Sequence, residues 1–395
     1  MEHSVYVHIP FCQVRCAYCD FNTYAGLESL VPAYVDALCR EIRQVGASAP
    51  DRPLPVGTVF LGGGTPSLLS VDQAAAVLQA IRESFALSPR AEVTLEANPG
   101  TVDADLLRGL RGLGFNRISF GVQSSHESEL KLLDRLHSFE QAGEAVHLAR
   151  STGFEDVNLD LIYGIMGQTM SLWQTTIERA LELEPDHLSL YALTLEHGTP
   201  MQARVEQGLL PEPDPDLAAD EYEWAEGALH AAGFVHYEIS NWAKVDAADG
   251  GARSRHVCRH NLQTWRNAPY LGFGAGAHGF AAGWRYADVR SPQAYIRAMA
   301  TPAVLNFPFS PALAEKHSID TETEMRETVM LGMRLVEEGV SAAEYRARFA
   351  VDLREAFAPQ WTRLERDGLI AWEGERVRLT ERGRLLGNRV FLEFV

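Results

Sequence analysis

The stretch YVHIPFCQVRCAYCDFN, residues 6–22, holds three of the five cysteines of the chain, Cys12, Cys16 and Cys19. A structural zinc site takes four ligands, commonly as two CxxC pairs, and no second pair follows. Ferredoxin clusters also take four thiolates. Three thiolates on one loop therefore favour a four-iron cluster with one iron left open for the amine and carboxylate of an amino acid. Adventitious zinc and redox-active thiols are the alternatives.

The remaining composition indicates a cytoplasmic protein. The formal charge of −18 argues against a protein that coats nucleic acid, which needs a basic face. No apolar run is long enough to span a membrane, and no basic segment followed by an apolar one marks a secretory signal at the start. An odd, clustered cysteine count does not suggest a disulfide framework. Cys39 lies in a helical pattern, and we expect it in the core.

Short apolar runs alternate with amphipathic stretches up to about residue 197. The runs predict six buried strands: SVYVHI, VGTVFLGGG, EVTLEANP, RISFGVQ, VNLDLIYGI and HLSLYALTLE. The intervening stretches predict helices over residues 29–46, 71–86, 103–113, 127–150 with a break, and 171–183. Six strand–helix units require a parallel sheet with right-handed crossovers. Because six is two short of a closed eightfold barrel, we expect an α/β fold with a partial (β/α)6 TIM-like barrel over residues 1–200.

Glycines and polar residues follow these predicted strands: Gly62–Thr65, Glu96, Gln123, Asp160 and Glu196. Each glycine alone is typical of a turn. Ligands bind at the carboxyl ends of parallel strands, where all these residues fall together with the cysteines. The set therefore predicts a ligand site at one mouth of the barrel.

Two further segments complete the predicted organisation. Residues 201–305 read as an α+β extension with an Arg- and His-rich loop and the run YLGFGAGAHGF. No clear helix follows that run within a βαβ unit, so we expect backbone packing beside the ligand site and not a nucleotide loop. Residues 306–395 predict three helices and a hairpin that turns at Gly374, which is typical of a winged-helix unit. Its excess of acidic residues favours a structural or protein-contact role over DNA binding.

The motif CxxxCxYC after a strand resembles the signature of the radical-SAM superfamily. In that superfamily the cluster passes an electron to S-adenosylmethionine (SAM), which is cleaved to methionine and a 5′-deoxyadenosyl radical. The motifs LGGGTPS, EANP, GVQS, NLDLIYG and HNLQTW resemble the oxygen-independent coproporphyrinogen III oxidase group, and within it the HemW heme chaperones. The resemblance covers nearly the whole chain. It implies a radical-SAM barrel, SAM, heme, and a 4Fe-4S cluster on Cys12, Cys16 and Cys19.

The resemblance also implies roles for single residues. Tyr6 matches a residue that contacts SAM near the cluster, and Tyr18 matches the aromatic position that packs against the adenine. The glycine motif that meets the methionine amino group corresponds to Gly63, Gly64 and Thr65. Polar positions that line the SAM or second-ligand site correspond to Glu96, Gln123, Arg135 and Asp160. An arginine can pair with a carboxylate, although KLLDRLH alone equally fits an Arg135 on the surface of a helix.

The loop GARSRHVCRHNLQTWR offers axial ligands, cations for propionates and an aromatic wall, which a heme site needs: Arg253, Arg255, His256, Cys258, Arg259, His260, Trp265 and Arg266. An exposed basic loop with hydrogen-bonded histidines is the alternative. The resemblance favours heme, since HemW proteins carry an HNxxYW motif linked to heme binding. Here the motif has Thr264 in place of the tyrosine. His260 is the first choice of ligand, with His256 and Cys258 as alternates.

Two functions follow from the resemblance, oxidative decarboxylation of coproporphyrinogen III and heme transfer. The oxidases carry a further cysteine just after the triad, where this chain has Asp20, Phe21 and Asn22, and a longer segment before the first strand. Both differences favour a chaperone that passes heme to an acceptor such as a respiratory hemoprotein. Whether the chain is also an enzyme is left open. We expect no nucleic-acid partner and no membrane span, while peripheral membrane contact is compatible with the sequence.

Overall fold

The computed structural model describes residues 2–50, 52–245, 254–301 and 306–395. All six predicted strands form, and the predicted helices lie between them. The elements are β1 (His3–Ile9), α1 (Val31–Ser48), β2 (Pro55–Gly63), α2 (Val71–Ser84), β3 (Ala86–Ala97), α3 (Ala104–Leu113), β4 (Arg117–Gln123), α4 (Glu127–Leu132), α5 (Phe139–Ser151), β5 (Asp156–Tyr163), α6 (Met170–Glu182) and β6 (His187–Ala192).

The rest of the chain adds shorter elements: α7 (Pro200–Glu206), α8 (Pro215–Ala231), β7 (Phe234–Glu238), β8 (Asn241–Lys244), α9 (Arg259–Trp265), β9 (Tyr270–Phe273), β10 (His278–Ala281), β11 (Trp284–Asp288), α10 (Pro292–Met299), β12 (Leu313–Ser318), α11 (Thr321–Gly332), α12 (Ala342–Phe349), α13 (Leu353–Ala356), α14 (Ala358–Arg366), β13 (Ile370–Glu373), β14 (Arg376–Leu379), α15 (Glu381–Leu385) and α16 (Gly387–Phe391). The Arg- and His-rich stretch is therefore partly helical, in α9. The third helix predicted near the C-terminus is two helices, interrupted at Phe357.

The chain divides into two compact units, residues 1–228 with 269–317, and residues 229–268 with 318–395. This division does not follow the three predicted segments. The extension predicted over residues 201–305 is shared between the units, so that α9 belongs with the C-terminal helices and β9–β11 belong with the barrel strands.

In the first unit, β1 to β6 run parallel and neighbour one another in chain order. This order confirms the predicted α/β fold. The sheet continues on the other side of β1, where β9 pairs parallel and β10 and β11 follow antiparallel. Buried Val, Ile, Leu and Phe side chains fill the strands, as parallel strands covered by helices require.

Helix boundaries in the first unit follow from local side-chain chemistry. Ser70 caps α2 by accepting from the backbone N–H of Gln73, whose side chain accepts from the N–H of Ser70 in return. Ser138 and Gln141 repeat this capping box at α5. Such caps satisfy backbone groups that the first turn of a helix leaves unpaired. They fix where each helix returns the chain to the sheet.

The second unit has its own hydrophobic core around Trp361, Phe357 and Phe394. The hairpin β13–β14 forms as predicted, with Gly374 in the left-handed region at its turn, and Val340–Ser341 add a short third strand beside β14. Among the described residues, no helix is both long and apolar enough to cross a bilayer.

Candidate cofactor site at the carboxyl ends of the strands

The three clustered cysteines lie on one loop after β1. Phe11–Cys12 pairs in parallel with Tyr24–Ala25, which holds the two ends of the loop together. Inside it, the Cys19 N–H donates to the Cys16 carbonyl at 3.2 Å, forming a tight turn. Cys12 is buried, whereas Cys16 and Cys19 are partly exposed. The loop thus presents three thiols at the carboxyl end of a parallel strand, the position that the sequence predicts.

Each sulfur has a polar neighbour. The Thr65 hydroxyl donates to Cys12 Sγ at 3.5 Å, Arg135 Nη1 donates to Cys16 Sγ at 3.4 Å, and the Thr23 hydroxyl lies 3.9 Å from Cys19 Sγ. Burial raises the pKa of the Cys12 thiol and of the Cys19 thiol, and the neighbouring cysteines add to the effect. Thiolates here need nearby positive charge, which bound iron would supply. The donor set therefore fits a metal cluster.

The other two cysteines do not join this loop. Cys39 is buried on α1, as expected for a core residue, and Cys258 belongs to the second unit. The triad is consequently a three-thiolate set within its own loop, in agreement with the sequence analysis.

The glycines after β2 are required by close backbone packing. Gly63 has a φ of 108°, and a Cβ there would lie 2.3 Å from the His8 ring. A Cβ on Gly64 would lie 2.7 Å from the carbonyl oxygens of both Ile9 and Phe11. The N–H of Gly64 donates to Ile9 O at 2.9 Å, and that of Thr65 donates to Phe11 O at 2.8 Å. Gly63, Gly64 and Thr65 therefore join the end of β2 to the start of the cysteine loop, and their predicted contact with methionine stays a prediction.

Glu96 stands near the end of β3 and Asp160 lies within β5, and the two carboxyl groups influence each other. Glu96 accepts the N–H of Gly63 at 2.9 Å. Burial, helped by the nearby Asp160 carboxylate, raises the pKa of Glu96 to about 7. Asp160 accepts from Ser119 at 2.9 Å and from Asn158 at 2.8 Å, and burial raises its pKa as well. Two half-buried carboxyl groups at one place are suited to accept hydrogen bonds from a polar ligand.

Arg135 is not a surface helix residue. It follows α4 in a loop and points back into the mouth, where its guanidinium donates to Asn98 Oδ1, to the Gly121 carbonyl and to Cys16. Although burial opposes ionisation, Tyr18, Cys16 and Asp160 raise the pKa of Arg135, so it remains a cation. This position decides between the two interpretations that the sequence allowed.

Gln123 ends β4 in the left-handed region, with a φ of 70°, and is buried. Its side-chain amide lies close to Gly121, since a Cβ on Gly121 would approach Gln123 Nε2 to 2.9 Å and Arg135 Nη2 to 3.0 Å. An unfavourable backbone conformation in a non-glycine residue is commonly found at ligand sites. Gln123 and Arg135 are therefore neighbours at the same strand end.

Tyr6 and His8 orient each other on β1. Tyr6 Oη lies 3.0 Å from His8 Nδ1, and His8 Nε2 lies 3.0 Å from the Asn22 carbonyl. A carbonyl only accepts, so Nε2 carries the hydrogen, Nδ1 accepts, and the Tyr6 hydroxyl donates to it. Burial lowers the pKa of His8, which keeps the ring neutral. The His8 ring therefore fixes the orientation of the Tyr6 hydroxyl.

Tyr18 lies between Cys16 and Cys19 and packs against an apolar cluster that includes Ile162, Ile165 and Met166. Burial raises the pKa of its hydroxyl, and the neighbouring cysteines contribute. An aromatic ring held in place by such packing is suited to stacking with a planar group. Its predicted contact with adenine stays a prediction.

The glycine-rich run of residues 274–276 supports the cysteine loop from behind. The Asn22 amide donates to the carbonyls of Ala275 and Arg290, each at 2.9 Å. A Cβ on Gly276 would approach the Asn22 amide to 2.4 Å. Backbone packing, which the sequence analysis expected of this run, is what the structure has.

Sequence reasoning assigned no individual role to four residues of this site, of which it placed only Asn98 at the strand ends. His8 and Asn22 orient Tyr6 and the cysteine loop, and Asn98 accepts from Arg135. His137 is buried against the Val122 carbonyl, and burial with the nearby Arg135 lowers its pKa to about 4. Their positions in the sequence could have indicated three of them, since His8 and Asn22 flank the triad and Asn98 follows Glu96 in EANP.

The candidate heme ligands lie in the second unit and are buried. His256, Cys258 and His260 are 5%, 2% and 7% exposed. Burial lowers the pKa of His260 to about 4. These three side chains therefore do not lie open on the surface, although the composition of the stretch is typical of an exposed loop.

The cations of the same stretch are exposed, as in the alternative of a basic surface loop. Arg255 and Arg259 are exposed, and Arg266 forms an ion pair with Glu338 at 2.6 Å. Trp265 packs within the unit, with the Arg334 guanidinium 5.0 Å above its ring. Arg253 lies outside the described residues.

Comparisons with known proteins agree with this geometry. Residues 6–180 match the Radical SAM superfamily, and residues 319–386 match the HemN C-terminal domain. A cysteine triad at the carboxyl end of a parallel strand, in a chain with these matches, defines a radical-SAM protein.

Relatives that match nearly the whole chain identify the family within this superfamily. The heme chaperone HemW of Mycobacterium tuberculosis is 39% identical over 392 residues, which cover 98% of this chain and 93% of the relative. The heme chaperone HemW of Bacillus subtilis is 36% identical, with 99% of each chain covered. The chain belongs to the HemW heme chaperone family. Among solved structures, the radical-SAM coproporphyrinogen III oxidase HemN of Escherichia coli superposes with a TM-score of 0.83 at 25% identity, covering 100% of this chain and 90% of that one.

Proposed function

We propose that this chain is a radical-SAM-type heme chaperone that binds a 4Fe-4S cluster, SAM and heme and transfers the heme to an acceptor hemoprotein. The observation that carries the proposal is the convergence of Cys12, Cys16 and Cys19 with Arg135 and the two raised-pKa carboxyl groups at one mouth. Near-full-length similarity to HemW supports the chaperone function.

The residues at the mouth would hold the cofactors as follows. The three cysteines would bind the cluster, and Arg135 and Thr65 would donate hydrogen bonds to its sulfur ligands. When bound, the cluster supplies an iron open to SAM and one electron for SAM cleavage. Glu96, Asp160 and Gln123 would accept from or donate to the polar groups of SAM, while Tyr18 offers a ring face to its base.

Heme is the proposed cargo, and the stretch around α9 is its proposed site. Exposed Arg255 and Arg259 are suited to the propionates. His260, His256 or Cys258 would ligate the iron, and each must become accessible to do so, because all three are buried. The proposed acceptor is a respiratory hemoprotein, and the proposed location is the cytoplasm.

An oxygen-independent coproporphyrinogen III oxidase is the second candidate function. Its support is the superposition on the Escherichia coli enzyme. The residues after the triad speak against it, since Phe21 is exposed and no cysteine occupies positions 20–22.

One pair of measurements distinguishes the two functions. Cluster-reconstituted protein is titrated with heme and, in parallel, assayed for coproporphyrinogen III decarboxylation with SAM and a reductant. We expect stoichiometric heme uptake and no decarboxylation. Steady decarboxylation without heme uptake would replace the chaperone function by the oxidase function.

A further inference from the structure

Four buried polar atoms of the second unit lack hydrogen-bond partners within the part of the chain that the structure describes. They are Glu238 Oε1, Asn241 Oδ1, Trp265 Nε1 and Arg334 Nε. As whole residues, Glu238 and Asn241 are 1% and 3% exposed, whereas Trp265 and Arg334 are partly exposed. Buried polar atoms in proteins are nearly always hydrogen-bonded, so several unpaired ones at one place indicate a missing partner.

These four residues are neighbours, and we call them the Arg334 site. Glu238 and Asn241 pair across the hairpin of β7 and β8. The Arg334 guanidinium carbon lies 5.0 Å from the centre of the Trp265 ring. The Arg334 carbonyl accepts from the N–H of Ile239, in the turn of the same hairpin, at 3.0 Å. The hairpin, the end of α9 and the segment after α11 therefore meet here.

The Arg334 site holds a cation and a carboxyl group that do not pair with each other. Within the described residues Arg334 forms no ion pair, and its guanidinium lies against the rings of Trp265 and Phe391. Burial raises the pKa of Glu238 to about 7, and Arg334 and the Trp265 indole oppose this rise, which places both beside the carboxyl. At neutral pH a large share of the molecules therefore carries a protonated Glu238, which can donate a hydrogen bond.

The chemistry of the Arg334 site favours a carboxylate ligand. Indole and guanidinium N–H groups donate, and a guanidinium matches a carboxylate in charge and in geometry. The protonated form of Glu238 donates to an anion, and the Asn241 amide has an NH2 group for the same purpose. A cationic ligand is disfavoured because Arg334 would repel it. Water is the alternative occupant, since it also bridges buried polar groups.

The Arg334 site lies at the carboxyl end of α9, the helix around which heme is proposed to bind. Trp265 is the last residue of α9, and the helix rises about 7.5 Å from His260 to Trp265. This distance is within the span of a porphyrin and its side chains. Heme carries two propionates, and the exposed Arg255 and Arg259 suit one of them.

We propose that the Arg334 site is a buried subsite for the other heme propionate. The inference rests on the proposed function and adds the residues that would hold the porphyrin by its carboxylate. Arg334 and Trp265 donate to the propionate oxygens, and Glu238 shares its proton with them. The partly exposed sides of Trp265 and Arg334 are the way in from solvent. No covalent bond forms or breaks.

The test compares heme with heme dimethyl ester, whose esterified propionates carry no charge. In optical titrations the wild type should bind heme about tenfold more tightly than the ester, because the ester cannot form charge-assisted hydrogen bonds. Arg334→Met keeps an unbranched side chain between the two rings and should lose most of this preference. Glu238→Gln should bind heme more tightly than the wild type, because no ionised carboxylate then opposes the propionate. Neither variant should change its affinity for the ester.

Arg326→Met is the matched control, because Arg326 lies on α11 and pairs with Glu322. It should keep the wild-type preference. If Arg334→Met does not fold, Arg334→Lys replaces it. Arg334→Lys keeps the charge but loses the planar fork, and should lose part of the preference.

The possible outcomes separate this inference from the proposed function. An unchanged preference for heme over the ester in the Arg334 variants would refute the subsite and leave water as its occupant. An equal loss of affinity for heme and for the ester would give Arg334 a structural role and would also overturn the inference. If the wild type takes up neither porphyrin, the proposed heme function itself is wrong.

Discussion

The guanidinium of Arg135 donates a hydrogen bond to Cys16 Sγ at 3.4 Å, across 119 residues of chain. The same group also donates to the Gly121 carbonyl and to Asn98. It therefore connects the ends of β3 and β4 to the cysteine loop. A cation held this firmly beside a thiolate stabilises negative charge on it.

Arg135→Met should lower the midpoint potential of the reconstituted cluster. Hydrogen bonds and positive charge at the sulfurs favour the reduced, more negative state, and the variant removes both. We expect a shift of about 60 mV to lower potential, which is a tenfold change for a one-electron couple. A redox titration followed by electron paramagnetic resonance measures it.

Arg204→Met is the control for this experiment. Arg204 pairs with Asp134, the neighbour of Arg135, and contacts no cysteine among the described interactions. Its variant should keep the wild-type potential. Equal shifts in both variants would mean that net charge, and not the contact with Cys16, sets the potential.

Cys16→Ala should abolish cluster assembly, because the loop then offers two thiolates instead of three. We expect iron and sulfide contents after anaerobic reconstitution to fall to background. Cys39→Ala, at the buried cysteine of α1, should load iron like the wild type. Full iron content in the Cys16 variant would show that the ligand assignment is wrong.

The stability of the ligand-free protein should depend on pH through Glu96. Its pKa is raised from 4.5 to about 7 in the folded chain, so the ionised form is less stable folded than unfolded. The free energy of unfolding should therefore fall as pH rises through this window and level off above it. The full shift corresponds to at most about 3 kcal/mol, reduced by the water that reaches this half-buried carboxyl.

Glu96→Gln should make this profile less steep, since the amide oxygen still accepts from Gly63 but carries no titrating proton. Part of the slope should remain, because burial also raises the pKa values of Glu221 and Glu238 to about 7. Urea unfolding between about pH 5 and 8 measures the effect. Glu223→Gln, on an exposed position of α8, should follow the wild-type curve. Parallel profiles for wild type and Glu96→Gln would show that Glu96 ionises near its ordinary pKa.

How much of the fold and of the site can be predicted from the sequence depends on how far apart along the chain the interacting residues lie. Strands β1 to β6 are apolar runs between capped helices, so the alternation alone predicts the parallel sheet. The triad can be identified from the sequence because its three cysteines lie within eight residues of one another. Arg135 is different, since its role depends on the chain returning to Cys16 from a loop after α4. The hydrophobic periodicity of the sequence does not indicate this contact. The contact depends on how the strand ends pack.

The burial of His256, Cys258 and His260 was equally hidden. Their stretch is rich in arginine and histidine, which is typical of an exposed loop, yet Arg255 and Arg259 are exposed while the three candidate ligands beside them are buried. The boundary between the two units was missed for a related reason. Residues 229–268 and 318–395 are distant in sequence and meet only through packing.

His260→Ala should weaken heme binding and leave iron loading of the cluster unchanged. His260 is the first proposed ligand, and it lies in the second unit, apart in sequence from the triad. Because the side chain is buried, thermal unfolding must show that the variant is folded before its heme affinity is read. His230→Ala, at an exposed histidine of the same unit, should bind heme like the wild type.

Thr264→Tyr tests the same stretch in the opposite direction. It restores the aromatic residue of the HNxxYW motif at a position that is half-buried in this chain. A tyrosine there adds a ring for the macrocycle and a phenol that can ligate iron, so heme affinity should rise. Optical titration with heme measures both changes. If His260→Ala and Thr264→Tyr both bind heme with wild-type affinity, the heme site lies away from α9, and the buried ligands of this stretch are structural.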